Sequence, residues 1–134
     1  MKINSIDGSI AFEDGTIQRT ANRTQFLDTS LGKEAENDFV NEDWRHYKIG
    51  PEPGIVGTIY FKGERMDRVF LLMGIPSDER NEWTEQLEHE RKAKHDTWLR
   101  AELGEPPYEY PWGEIVSEFD GRACVSEIIV VYAD

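Results

Sequence analysis

The chain has 134 residues, with 27 Asp and Glu against 15 Lys and Arg, a formal net charge of −12 and a mean hydropathy of −0.65. The length suits one domain, residues 1–134, able to bury a core without metal or disulfide staples. The charge opposes a broad electrostatic footprint on nucleic acid or an anionic membrane and favours a basic protein as partner.

Hydrophobic residues at 38%, four Trp among them, argue against disorder throughout. Cys124 is the single cysteine. It lies in an apolar, strand-like run and reads as a small buried hydrophobe in a reducing compartment. The first residues carry no apolar signal-peptide core, and no run approaches the roughly 18 apolar residues of a membrane span. Cytoplasmic residence is the expectation.

Lys2 to Ile6 and Ser9 to Phe12 alternate about Asp7-Gly8, and Asp14-Gly15 marks a second turn, so an N-terminal hairpin or meander is predicted. Between Thr20 and Leu31, Asn22 or Thr24 can cap a short helix that turns Phe26 and Leu27 inward and ends near Gly32. Lys33 to Asp43 reads as an acidic surface loop. Trp44 to Ile49 alternates and is followed by Pro51 and Pro53, which predicts an edge strand. Ile55 to Phe61 and Met66 to Met73 are strands joined by Lys62-Gly63-Glu64-Arg65.

The stretch from Ser77 to Leu103 is the clearest element, a helix with Ser77 as N-cap, Asp78 and Glu79 in its first turn, and Gly104 and Pro106-Pro107 beyond its end. Its roughly 26 residues at about 1.5 Å each make a rod near 39 Å long. Glu88/Lys92, Glu90/Lys94 and Asp96/Arg100 are expected to pair at i,i+4 on its solvated side. Trp83, Leu87, Arg91, His95, Trp98, Leu99 and Leu103 form the opposite face. Tyr108 to Phe119 and Ala123 to Tyr132 are a closing strand pair about Asp120-Gly121-Arg122, with Ile128 to Val131 apolar enough to lie centrally. The fold class expected is α+β: a mainly antiparallel sheet of five to seven strands with one long helix packed on one face.

Arg91 and His95 share the apolar side of the rod, and buried charges need partners. Glu114, Glu118 and Asp120 on the following hairpin are the candidate acids, so a structural polar network of Arg91, His95, Asp120, Glu114 and Glu118 is expected. On this expectation Arg91→Met is milder than removal of its acid partner. The alternative is a small hydrolase-like enzyme with His95 as general base, oriented by a sheet carboxylate. No Ser or second Cys stands as a nucleophile, and no catalytic residue is assigned. His89 and His95 are six apart, about 600° around a helix, whereas a helical zinc pair needs three or four residues. No metal or cofactor is expected, since the glycine-rich phosphate motifs are absent too. Tyr108, Tyr110, Trp112 and Phe119 lack the cations of a base-stacking platform and read as core or rim.

The acidic segment Glu34 to Asp43 stands beside Phe39 and Trp44. Glu42, Asp43, Trp44 and Phe39 are therefore candidate partner-binding residues, an acidic loop next to aromatic anchors.

Glu88, Arg91, His95-Asp96-x-Trp98-Leu99, Trp112-Gly113-x-Ile115-x-Ser117-x-Phe119-Asp120 and the Ile128 to Tyr132 strand resemble a group of small uncharacterised bacterial proteins. In that group a His-Asp-x-Trp-Leu helix end precedes a Trp-Gly hairpin. Gly15-Thr16-Ile17 and Arg23-Thr24-Gln25-Phe26-Leu27 are similar to it as well. The resemblance implies a cytosolic bacterial α+β domain and brings no activity. The functional expectation is a non-enzymatic protein-binding domain, in its most specific form an immunity-type protein that neutralises a basic toxin, acting as a monomer or homodimer.

Overall fold

The computed structural model describes residues 1–76, 78 and 83–133, with backbone only at Asp38 and Phe39. Near the N-terminus, β1 (Lys2–Ile3), β2 (Ile10–Phe12) and β3 (Gly15–Ile17) form a small antiparallel meander. Two one-turn helices follow, α1 (Arg23–Leu27) and α2 (Ser30–Glu34), so the single short helix expected here is two. Asn22 and Gln25 make a reciprocal capping box for α1, and the Thr29 side chain caps α2. The break is tight at Gly32, where a Cβ would stand 2.0 Å from the Phe26 carbonyl oxygen.

The main sheet contains β4 (Glu36–Asn41), β5 (Trp44–Glu52), β6 (Ile55–Lys62), β7 (Arg65–Met73), β8 (Tyr108–Tyr110), β9 (Gly113–Asp120) and β10 (Val125–Tyr132). Their spatial order is β4-β5-β6-β7-β10-β9-β8, antiparallel throughout. The class is α+β, an antiparallel sheet with one long helix, α3 (Glu85–Leu103). The main sheet has seven strands, and the meander adds a second, three-stranded sheet that the expectation of a single sheet did not include, ten strands in all among the described residues.

Three local expectations are corrected. The acidic segment expected as a loop supplies β4, and it displaces β5 from the edge to the second position. Pro51 is tolerated inside β5 because it falls where the β5–β6 register shifts, between Ile49 and Glu52. Cys124 is not a strand residue; it ends the turn before β10, half-buried at φ 53°.

Alternation divides the sheet into two faces. The inner row across β5 to β9 runs Tyr47, Ile59, Val69, Val130 and Ile115, all buried. Above it lie α3, over β7, β10 and β9, and Phe26 of α1, whose ring is 6.0 Å from Tyr47 and 5.6 Å from Phe61. The meander is fastened to the same side. Trp112 Nε1 donates to the Ser5 carbonyl at 2.9 Å, and the Tyr132 hydroxyl donates to the Gly8 carbonyl at 2.9 Å. Gly8, at φ 76°, lies so close that a Cβ there would stand 2.7 Å from the Trp112 ring.

The helix α3 is shorter than expected, 19 residues or about 28 Å. Its cap is Thr84, whose extended backbone (φ −140°) leaves Trp83 outside the helix. The expected cap Ser77 and the first-turn Glu79 lie outside the described residues. Trp83 is 56% exposed rather than buried. Trp83→Ala is therefore expected to lose about 1–2 kcal/mol in urea denaturation, the worth of its indole donation to Glu88 Oε2, well short of the loss at a buried tryptophan.

Candidate functional site

The buried stripe of α3 is Glu88, Arg91, His95 and Leu99. These positions are spaced i, i+3, i+7 and i+11, one face of a helix. Three of the four are ionisable, so the docking of this helix is decided by how their polar groups are satisfied. Arg91 is 4% exposed and all five of its N–H donors are used. Nε donates to Glu88 Oε1 at 3.0 Å. One terminal nitrogen donates to Asp78 Oδ2 at 2.9 Å and to the Met73 carbonyl at 2.7 Å. The other donates to Asp78 Oδ1 at 2.6 Å and to Glu88 Oε2 at 3.2 Å. The Asp78 carboxylate, with that of Glu88, holds Arg91 firmly protonated against the opposing effect of burial.

Glu88, 2% exposed, ties the network to the sheet. Its Oε1 accepts from the Ser126 backbone N–H at 3.0 Å, its carbonyl accepts from the Ser126 hydroxyl, and Trp83 Nε1 donates to Oε2 at 3.2 Å. Burial pushes its pKa up, but the Arg91 and Ser126 donors outweigh this and leave it below the ordinary Glu value.

The network joins Arg91 and His95 at the end of β7 and does not bring Glu114, Glu118 or Asp120 to them. Alternation explains the correction. Ile115, Ser117 and Phe119 share the register of inner residues Val130, Ile128 and Ser126, whereas Glu114, Glu118 and Asp120 belong to the opposite face. Asp120 instead accepts from the Arg122 and Ala123 backbone N–H groups in its own turn. Glu88 and Ser126 were not among the expected network residues. Glu88 pairs with Arg91, while Lys92 pairs with Asp96 at 2.8 Å. The signal for Glu88 was its i,i+3 spacing from Arg91; Ser126 had none beyond its place in β10.

His95 is 0% exposed, and its Nε2 accepts from the Met73 backbone N–H at 3.0 Å. Its other nitrogen therefore carries the proton, and Nδ1 has no partner among the described residues. Burial, reinforced by the Arg91 charge, lowers the imidazole pKa to about 4. With its lone pair committed and its ring sealed, this group is not placed to take a proton from a substrate.

The depressed pKa has a stability consequence. In the unfolded chain His95 takes a proton near 6.5, while in the folded chain it does not until about 4. Unfolding then binds a proton in that window, so stability falls as pH drops from about 6.5 to 4, by up to about 3 kcal/mol. Urea denaturation at stepped pH should show the loss, and His95→Leu should flatten it.

Elsewhere, a cleft of about 350 Å³ between α3 and β8–β9 is lined by Lys92, Asp96 and Arg100 on one side and Tyr108, Ile115 and Ser117 on the other. Tyr108 and Trp112 are buried, in keeping with a core role for the aromatic run. No group of three or more His, Cys, Asp or Glu among the described residues has the geometry to hold a metal. No helix among them is long and apolar enough to cross a membrane.

The candidate partner-binding residues lie on the β4–β5 hairpin. Glu42, at φ 52°, and Asp43 form its exposed tip, Trp44 is half-buried beneath the Lys62 ammonium at 5.9 Å, and the side chain of Phe39 lies outside the described residues. Among the described residues β4 pairs only with β5, and Val40 on it is 55% exposed.

No family model, no curated protein and no solved structure matches this chain.

Proposed function

We propose that the chain is a protein-binding domain that acts without catalysis, and that its partner is a basic protein met at the β4–β5 hairpin. The observation carrying this reading is the outer edge of β4, which pairs with no strand among the described residues and ends at the exposed acids Glu42 and Asp43. An open strand edge offers backbone donors and acceptors to an extended segment, and the acids select a cationic one. The net charge of −12 acts in the same direction by steering encounter. In the cytosolic bacterial setting that the His-Asp-x-Trp-Leu resemblance implies, an immunity-type protein neutralising a basic toxin is the most specific form of this role.

The hydrolase reading would need His95 open to substrate, and its sealed imidazole gives that reading no support. The test is capture from native bacterial lysate, with Glu42→Lys/Asp43→Lys as control. A basic protein retained by the parent chain and lost from the variant is the expected result. Equal capture by both, or retention of acidic proteins only, contradicts the proposal.

A further inference from the structure

The outer face of the main sheet bears no described helix, and its side chains sort by charge. Toward β5, β6 and β7 it carries four cations, Lys48, Lys62, Arg65 and Arg68, against two acids, Asp67 paired with both arginines and Glu36 across from Lys48; toward β10, β9 and β8 it carries Glu127, Glu118, Glu114 and Glu109. Through both halves, across the strands, run Tyr60, Phe70, Ile129 and Val116, with Val56 beside them; Val56 is 41% and Val116 38% exposed. Tyr60 and Phe70 meet edge-on at 5.1 Å.

The acidic pole is poorly arranged for an isolated chain. Glu118 stands directly across from Glu127, and Glu109 directly across from Glu114. Like charges at directly opposed positions are destabilising. Burial, together with Asp120 and Glu118 nearby, raises the Glu127 pKa. None of these four glutamates has a cation within salt-bridge distance among the described residues.

We infer that this outer face is the interface of a symmetric homodimer, in which the basic pole of one copy covers the acidic pole of the other and the aromatic and aliphatic band forms the seam. A twofold axis lying in the plane of the face, perpendicular to the line joining the poles, brings each cationic half onto an anionic half. An axis along that line would set like on like. The interface is then isologous and closed. The seven strands hold 51 residues, which at about 3.3 Å rise and about 4.8 Å spacing present roughly 800 Å², the size of one partner's share of a stable interface. Two sheets packed this way make a sandwich about 10 Å between layers. The inference goes beyond the proposed partner binding, since the β4 edge and the Glu42–Asp43 tip lie at the rim of each copy.

Sedimentation equilibrium of the full chain over a hundredfold concentration range tests it, with Val116→Asp and Glu118→Lys as variants at exposed positions. The parent is expected to approach twice its 15.5 kDa mass, with a dissociation constant that rises with salt. Each variant is expected to raise that constant at least tenfold while keeping the parent circular dichroism. Glu118→Lys should also melt no lower as a monomer, because it relieves the contact with Glu127. A parent monomeric at every concentration overturns the inference, as does a dimer unchanged by both substitutions. Neither result bears on lysate capture through the hairpin.

Discussion

Arg91→Met is expected to lower the unfolding free energy by about 3–5 kcal/mol, the usual result of removing one partner from a buried ion pair. Urea denaturation at neutral pH is the measurement. The reason lies in what remains: Glu88 is 2% exposed, and without the guanidinium its charge is left in a dry site with one backbone donor and one indole. The sequence alone suggests that Arg91→Met is milder than loss of its acid, but the acid is as deeply buried as the base, so the two removals should be comparable. Asp78 differs. Its side chain is 39% exposed, solvent screens its attraction, and Asp78→Asn should lose about 1 kcal/mol or less. The double variant Arg91→Met/Glu88→Leu should recover much of the single loss, because an apolar replacement removes both desolvation penalties together. A single-variant loss under about 1 kcal/mol would mean that water reaches the pair.

Trp112→Ala is expected to remove a comparable amount, about 3–5 kcal/mol. The indole is 4% exposed, stacks on Tyr110 at 5.0 Å, and lies 5.8 Å from Tyr132. Its loss opens a cavity and strands the Ser5 carbonyl that Nε1 satisfies. Because Gly8 packs on the same ring, the damage should concentrate in β1, β2 and β3. Native-state hydrogen exchange should show those amides opening well below the global free energy while β6, β7 and β10 retain theirs. Uniform loss of protection would mean that the meander and the sheet open as one unit.

The hydrophobic strands and their turns were legible because period-two alternation and Gly-containing hairpins are local signals. β6, β7 and the buried run of β10 follow from them directly. Strand β4 was not legible, because Glu36 to Asn41 is polar and its strand state comes from pairing with β5, a tertiary fact. The long helix was clear, but its start was not: Ser77 and Thr84 are both acceptable caps, and nothing local chooses between them. At the candidate site, burial of Arg91 and His95 could be read from the helical period. Their partners could not. The choice between Glu114 and Ser117 as the β9 residues facing the helix turns on strand parity, and a strand whose polar residues occupy both faces does not declare it. Glu88 was hidden by a rival reading, the Glu88/Lys92 pair, which is equally good in an isolated helix.

Helix α3 holds its charged stripe shut against the sheet. The direct measurement is a long-range nitrogen–proton correlation of the His95 imidazole between pH 8 and 5. A neutral ring with the proton on Nδ1, unchanged over that interval, is the predicted result. Titration of His95 near 6.5 would contradict it and would place the imidazole in contact with solvent.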